Sequence, residues 1–206
     1  MRCKRIRLWC ALAGVLAAAA LAVPVASASL IGSVLPSCGA TTYPFAAWGD
    51  STAYCAFPNL GFESGATSWM LKGTASVVAG NEPWHVSGSG THALQLGPGA
   101  SALSSPLPVS LLDPYMRFFA HSANATGGLQ VQVLFRGVTG NVTGLLNFGT
   151  LSPNGYATWQ PTQRVLSALA LPLLTSTAQV QFTSQAKSGS WQLDDVYLDP
   201  RIGKLG

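Results

Sequence analysis

Short runs in which apolar and polar residues alternate with a period of two are the feature that most constrains this fold. Between residues 130 and 136, Val131, Val133 and Phe135 point to one side of an extended chain, and mostly polar residues point to the other. Strong turn signals such as Gly97-Pro98-Gly99 separate such runs, and no long helical periodicity occurs. The pattern predicts an all-β protein, an antiparallel β-sandwich.

Eight strands are predicted from these runs. They are Ala75–Ala79, Ala93–Leu96, Tyr115–His121, Leu129–Arg136, Leu145–Phe148, Ala157–Gln160, Ala178–Ser184 and Ser190–Leu198. The run from 165 to 174 is rich in Leu and Ala, and it allows either a helical turn or a buried connection.

The first 28 residues have the order of a secretory signal peptide. Basic residues at positions 2, 4, 5 and 7 precede an apolar, Ala-rich run, which ends on Ala26-Ser27-Ala28. We predict cleavage after Ala28 and a secreted or cell-surface protein. An uncleaved anchor is the alternative, because the run approaches spanning length; the many alanines, Pro24 and the small-residue site favour cleavage.

Cleavage removes the positive net charge of the chain. Four of the eleven Lys and Arg residues lie in the signal, and the remaining seven balance the seven Asp and Glu residues. The mature protein therefore lacks the basic surface that nucleic-acid binding requires. We expect no nucleic-acid partner, and no membrane attachment after cleavage.

Two cysteines remain after the signal, Cys38 and Cys55. An even pair in an exported protein predicts a disulfide, which would contribute about 3 kcal/mol by closing a short loop. A reactive thiol pair would need a Cys-x-x-Cys spacing, which is absent. We divide the mature chain into an N-terminal extension at 29–57, a domain at 58–200 and a tail at 201–206.

Two acidic motifs bracket the domain. The first reads Asn59-Leu60-Gly61-Phe62-Glu63-Ser64-Gly65, followed by Trp69, and the second reads Gly189-Ser190-Trp191-Gln192-Leu193-Asp194-Asp195-Val196-Tyr197-Leu198. The pair resembles the secreted carbohydrate-binding modules of families four, nine and twenty-two, in the galactose-binding-like group. The resemblance covers about 58–200 and implies a β-jelly roll that binds carbohydrate.

The resemblance also implies a structural calcium. In such modules the Glu of the first motif and an Asp of the second help to hold the ion, and these roles fall here on Glu63 and Asp194. Asp195 is expected on the opposite side of its strand. As an alternative, Glu63 and Asp194 cap turns or pair with a cation such as Arg164.

A sugar-binding face is predicted from the polar side of the sheet. Tyr115 and Arg117 share one face of their strand, and Gln132 and Arg136 share one face of another. If the two strands are neighbours, planar polar groups and an aromatic ring lie together. Trp84, in a polar loop, either adds a stacking ring or folds back onto the sandwich. A merely solvated face is the alternative.

Catalysis is not predicted. A glycosidase needs two placed carboxylates, but the only Glu residues are Glu63 and Glu82, and no nucleophile elbow occurs. We therefore expect a non-catalytic module whose partner is a polysaccharide or cell-surface glycan. The second hypothesis is a cell-surface structural or interaction domain without sugar binding, and the third is a jelly-roll hydrolase or lyase.

Overall fold

Two antiparallel sheets pack face to face in the computed structural model, which describes residues 42–108, 115–166 and 175–199. In these ranges thirteen strands, β1 to β13, follow one another as Cys55–Ala56, Trp69–Lys72, Ala75–Ala79, His92–Leu96, Ser101–Ser104, Leu107–Pro108, Tyr115–His121, Leu129–Gly137, Val142–Leu151, Gln160–Pro161, Val165–Leu166, Thr175–Ser184 and Trp191–Asp199. The predicted all-β jelly-roll sandwich is confirmed.

The order of the strands separates two segments that the predicted sugar-binding face requires to be neighbours. The first sheet has the order β10-β7-β13-β4-β3, with β1 on β13 and β11 on β7. The second has the order β2-β5-β12-β8-β9, with β6 on β12. Because β7 and β8 belong to different sheets, the assumption that they are neighbours is wrong.

The core lies between the sheets and follows the predicted alternation. In β8, Val131, Val133 and Phe135 are buried, while the residues between them are partly exposed. Aromatic rings join the two layers, because Phe118 of the first sheet lies 4.9 Å from Phe182 of the second between ring centroids. Each fully buried side chain of this size contributes roughly 1.5–3 kcal/mol.

One predicted strand, Ala157–Gln160, is wrong. Residues Pro153–Tyr156 form a short 3-10 helix, and only Gln160–Pro161 is paired. The Pro-Asn-Gly sequence favours a turn that continues past its own three residues. Of the run at 165–174, Val165–Leu166 is a strand and the rest lies outside the described residues. In the described ranges no helix reaches the length and apolarity of a membrane span.

The first and last segments of the domain lie side by side. Cys55 in β1 is opposite Leu198 in β13, and the Val196 amide donates to the Leu60 carbonyl at 3.1 Å. Cys55 is buried, whereas Cys38, the signal region and the tail lie outside the described residues. The disulfide and the signal peptide therefore stay predictions.

Residues 42–54, which we term the N-terminal cover, pack on the outer face of the first sheet. Phe45 and Tyr54 are fully buried there. The Phe45 ring stacks on Phe119 at 5.3 Å and meets Tyr197 edge-on at 5.8 Å. This part of the face therefore carries a second apolar cluster instead of a solvated surface.

A buried ion-pair network holds the N-terminal cover in place. Asp50 accepts from Arg117 at 2.8 Å, from Arg164 at 2.6 Å and from the Tyr54 hydroxyl at 2.6 Å. Burial alone would raise the pKa of Asp50, but the hydrogen bonds from Arg164, Tyr54 and Thr52 hold it well below its usual range. The Arg117 guanidinium also lies over the Phe45 ring, 4.1 Å from its centroid.

Replacing Asp50 by Asn should destabilise the fold strongly. The change leaves the buried Arg117 without its counter-charge, and breaking one side of a buried pair costs about 3–5 kcal/mol. Urea denaturation measures the loss. Lys187→Gln, at an exposed cation, is the control and should change the free energy of unfolding by less than about 0.5 kcal/mol. Equal, small effects of both changes would contradict the network's role.

Candidate functional site

A row of polar side chains crosses the outer face of the second sheet. Gln181 is opposite Gln132, and Gln132 is opposite Asn147, in adjacent antiparallel strands. Directly opposed residues lie on the same face, and these three are partly or fully exposed. We call this surface the amide face. It offers three side-chain amides, each with donors and an acceptor.

The same face continues on both sides of the amides. At one end of the row Leu103 is opposite Gln181, and Met70, which is 57% exposed, is opposite Leu103. A second row carries hydroxyl groups, with Thr183 opposite Ser101. Of the described side chains in these two rows, none is aromatic. These two rows therefore offer hydrogen-bonding groups and no aromatic stacking platform.

Arg136 stands near the end of the amide face, beside the hairpin that joins β8 to β9. Its guanidinium donates to the Gln179 side-chain oxygen and, at 2.8 Å, to the Gly140 carbonyl. Gln179 in turn donates to the Ser104 carbonyl at 2.6 Å. These contacts hold Arg136 in a fixed position, so that it borders the amide face as an oriented cation.

The structure does not bring the predicted sugar-binding residues together. Arg117 is only 8% exposed, because the N-terminal cover buries it, and its expected place on a solvated face with Gln132 and Arg136 is wrong. The side chain of Tyr115 lies outside the described residues. Trp84 packs on Phe119 of the first sheet, 5.6 Å between ring centroids, and so stands apart from the amide face.

Asn59 builds the turn of the first acidic motif. Its side-chain amide donates to the carbonyls of Gly65 and Thr67, at 2.9 and 2.8 Å, and its oxygen accepts from the Ser64 amide at 3.0 Å. These bonds are a local reason for an Asn at this position, where φ is +53°. The turn directs Phe62 into the core and leaves Glu63 at the surface.

Glu63 is engaged by the loop before β4. Its carboxylate accepts from the amides of Thr91 and His92, at 2.7 and 2.8 Å, and lies 3.0 Å from the His92 ring nitrogen. Burial by itself would raise the pKa of Glu63, but the bonds from His92 and Thr91 together lower it. The alternative pairing of Glu63 or Asp194 with Arg164 is not seen, since Arg164 pairs with Asp50.

A β-bulge changes the expected geometry of the second motif. Asp194 is opposite Phe119 and Tyr197 is opposite Arg117, so β13 contains one extra residue. Asp195 lies within this bulge and has a φ of +50°, in the left-handed region. The expectation that Asp195 faces away from Asp194 is therefore wrong, because both carboxylates approach Gly61.

The space beside Gly61 is lined by oxygen atoms. A Cβ at this glycine would lie 3.1 Å from Asp195 Oδ1, 3.5 Å from Asp194 Oδ1 and 3.7 Å from Ser87 Oγ. Only a glycine leaves this space open. We call it the Gly61 cradle.

The acids of the Gly61 cradle are buried without a counter-charge. Asp194, Asp195 and the neighbouring Glu82 are fully buried, and in the described part of the chain none of them makes an ion pair. Neither oxygen of Asp195 receives a regular hydrogen bond from the described residues. Buried acceptors of this kind are typical of a site that holds a cation or water.

Burial raises the pKa of both aspartates. Burial, then the neighbouring Asp195, raises the pKa of Asp194 to about 8. Burial also raises the pKa of Asp195 to about 6, an effect that Ser87 lessens and Glu82 strengthens. No group of three or more His, Cys, Asp and Glu side chains in the described ranges is arranged around one metal. A cation here would use two carboxylates, with hydroxyl or carbonyl oxygens completing its shell.

Several residues of these sites were not found from the sequence. The alternation in its strand places Gln181 on the polar side, but it does not indicate which strand lies next to it. Glu82 and Ser87 lie in a loop without periodicity. Gly61 did carry a signal, since a glycine between apolar residues often marks close approach of other groups. Asp50 gave none, because its partners are 67 and 114 residues away.

Comparison with known proteins gives matches in structure only. No protein-family model matches the chain, and no curated protein is similar to it in sequence. The xylan-binding CBM22-1 domain of Xyn10C from Paenibacillus barcinonensis is 15% identical, with a TM-score of 0.46 over 69% of this chain and 93% of that domain. TmCBM61, solved with β-1,4-galactotriose, is 19% identical, with a TM-score of 0.41 over 69% of this chain and 96% of that one.

A third similar structure belongs to a larger protein. The enzymatically active domain of tailspike protein 4 from bacteriophage CBA120 is 15% identical, with a TM-score of 0.47 over 69% of this chain. The chain spans 21% of that protein's length. The similar structures thus include carbohydrate-binding modules, and identities this low say nothing about the ligand of this chain.

The metal-free protein should lose stability as the pH rises from about 4 to about 8. The pKa of Asp194 is higher in the folded than in the unfolded chain. The stability that Asp194 contributes is therefore complete below its pKa in the unfolded chain and is lost as the pH rises towards its pKa in the folded protein. Thermal melts in chelator across this range test the sign. Asp194→Asn should make the fall shallower, most clearly above about pH 6 where Asp195 no longer contributes to the slope, and Lys187→Gln should leave the profile unchanged. A wild-type melting temperature that rises over this range would contradict the assignment.

Proposed function

We propose that this protein is an exported, non-catalytic carbohydrate-binding module that holds its ligand on the amide face. The observation that carries the proposal is the row formed by Gln181, Gln132 and Asn147 across three adjacent strands. Side-chain amides spaced one strand apart, about 4.8 Å, suit the repeated hydroxyl pairs of an extended glycan. The resemblance of the two acidic motifs to carbohydrate-binding modules points the same way.

Non-catalytic binding fits the state of three carboxylates, which are each engaged by other groups of the protein. Asp50 is committed to two arginines, and Glu63 to Thr91 and His92. Glu82 accepts two backbone amides within its own loop. Hydrolysis of a glycoside needs a pair of carboxylates that flank the bond, and the amide face offers none among its described rows.

The competing function is a cell-surface structural or interaction domain that does not bind sugar. One observation favours it: the described rows of the amide face lack an aromatic ring on which a pyranose could stack. Hydrogen bonds to sugar hydroxyls mostly replace bonds to water, so each contributes only about 0.5–1.5 kcal/mol. We therefore expect sugar binding by this face to be weak.

Calcium is proposed as a structural ion in the Gly61 cradle. Asp194 and Asp195 would provide the carboxylates, and the Ser87 hydroxyl borders the same space. The fit rests on the buried oxygens of Asp195, which receive no hydrogen bond of regular geometry, and on the space that a side chain at position 61 would fill. When bound, the ion would neutralise these acids. Glu63 as a further ligand stays a prediction.

Export and the disulfide are proposed from the sequence. The order of basic, apolar and small residues over 1–28 supports cleavage after Ala28, and the intact mass of the exported protein measures it. Cys38 and Cys55 are proposed to be linked. Peptide mapping without reductant should show one linked pair, and two free thiols in exported protein would contradict it.

Removing one amide from the amide face should weaken glycan binding. We expect Kd values on the order of micromolar to millimolar, and Gln132→Ala or Gln181→Ala should raise Kd about three- to tenfold. Isothermal titration with xylohexaose, cellohexaose and galactotriose measures the change. Gln185→Ala, at an exposed amide outside the row, is the matched control and should leave Kd unchanged.

Two results of that titration would overturn the proposal. If none of the three sugars binds at millimolar concentration, the structural-domain alternative replaces it. If a sugar binds equally to the Gln132, Gln181 and Gln185 variants, the site lies away from the amide face. Assaying the same sugars for release of shorter products tests the enzyme alternative.

Calcium should stabilise the wild-type protein through the Gly61 cradle. At a free concentration a hundredfold above its Kd, an ion that binds only the folded state adds about 2.7 kcal/mol. Thermal melts with calcium and with chelator measure this. Asp195→Asn and Gly61→Ala should abolish the response, because one removes a ligand charge and the other fills the cradle.

Glu63→Gln tests the remaining ligand in the same melts. A lost response would place Glu63 at the ion, and a retained response would leave it to Thr91 and His92. If chelator does not change the melting temperature of metal-loaded wild type, and elemental analysis finds no calcium, the calcium proposal fails.

A further inference from the structure

An aromatic cleft opens on the outer side of the first sheet, on the side of the molecule away from the amide face. Its volume is about 420 Å³, within the range of small-molecule sites. The N-terminal cover and the loop at 81–91 form it together. The cleft, which we call the aromatic cleft, is lined mainly by Thr42, Tyr43, Pro44, Trp48, Trp84 and Val86.

The rings of the aromatic cleft are fixed at right angles. Trp48 and Trp84 meet at an interplanar angle of 89°, with centroids 4.8 Å apart. Both indoles also pack on Phe119, at 5.4 and 5.6 Å, so the sheet supports the corner from below. Trp84 nevertheless remains 43% exposed and Tyr43 61% exposed. The corner is therefore rigid and open to solvent.

A buried carboxylate holds the loop that presents Trp84. Glu82 is fully buried, and its two oxygens accept from the amides of Trp84 and Val86, at 2.5 and 2.6 Å. Burial of a carboxylate is costly unless its hydrogen bonds are made. The loop is thus tightly held although its largest side chain is exposed, and a fixed, exposed aromatic ring is a feature of ligand sites.

The lining selects the chemistry of the ligand. None of the described side chains that line the aromatic cleft is charged, so a charged ligand would gain no ion pair on entry. The indole faces favour a flat apolar surface, and the exposed Tyr43 adds a hydroxyl. The ring of a neutral pyranose combines an apolar face with hydroxyls at its edge.

We infer that the aromatic cleft is a second binding site, which takes one pyranose unit of a neutral saccharide by stacking on Trp84. It shares the ligand class of the proposed function, but it does not depend on the amide face, because the two surfaces belong to different sheets. The N-terminal cover, which packs on Phe119 and Tyr197 of the first sheet, forms one wall of this site.

Resonances of the indole N–H groups can test this site directly. In the purified protein, the Trp84 and Trp48 signals are assigned with Trp84→Phe and Trp48→Phe, and xylohexaose, cellohexaose, galactotriose and mannohexaose are titrated in turn. We expect at least one sugar to shift both signals in a saturable way. Ala47→Glu, which introduces a charge at an exposed position of the cleft, should weaken this response about tenfold.

Two further variants separate this inference from the proposed function. Ala46→Glu adds the same charge at an exposed neighbour that does not line the cleft, and it should leave the indole response unchanged. The double variant Gln132→Ala, Gln181→Ala should keep the indole response even where it removes binding to the amide face. Sedimentation of wild type and Ala47→Glu is measured alongside, to detect pairing of two copies.

Three results would overturn the inference. The first is that no sugar in the panel shifts the Trp84 signal at millimolar concentration, whether or not the amide face binds. The second is an indole response that Ala47→Glu leaves intact. The third is a dimer of the wild type that Ala47→Glu dissociates, which would make the aromatic cleft a contact between two copies of the chain.

Discussion

The Asp50 carboxylate, held between the guanidinium groups of Arg117 and Arg164, is the interaction on which the two surfaces of this molecule depend. It ties the N-terminal cover to a sheet strand and to a loop that are 67 and 114 residues away along the chain. Because the pair with Arg117 is buried, its removal would leave an unpaired charge inside the protein. The network therefore keeps part of the outer face of the first sheet, around Phe119 and Tyr197, covered.

The two outer faces of the sandwich therefore carry side chains of different chemistry. Rings of the N-terminal cover gather with Phe119 and Tyr197 on the covered face, where they form a second apolar cluster and one solvent-exposed corner. The amide face presents amides and hydroxyls in register across the strands of the second sheet. Stacking and hydrogen bonding, which a single sugar site usually combines, are thus offered on opposite sides of the sandwich. A jelly roll by itself fixes neither, because function resides in the sites that the fold carries.

The acidic motifs show how a single backbone irregularity redirects a prediction. A period of two places Asp194 and Asp195 on opposite faces, and that holds for any regular strand. The bulge in β13 adds one residue and turns both carboxylates towards Gly61. Nothing in the local sequence marks the bulge, because its cause is the pairing of β13 with β7 on one side and the adjacent Leu60 segment on the other. The sequence could predict that the two acidic motifs lie next to each other, but it could not predict how their carboxylates are arranged.

The sequence by itself determined the all-β class, the position of most strands and the buried parity of residues such as Val131 and Phe135, because alternation and turn chemistry are local. It also determined that the two acidic motifs belong together. Only the tertiary structure decided which strands are neighbours, and hence that Arg117 is buried while Gln132 stays exposed. Strand parity states that two side chains share a face, but it does not state what covers that face. That depends on contacts between distant segments, for which a period of two carries no information.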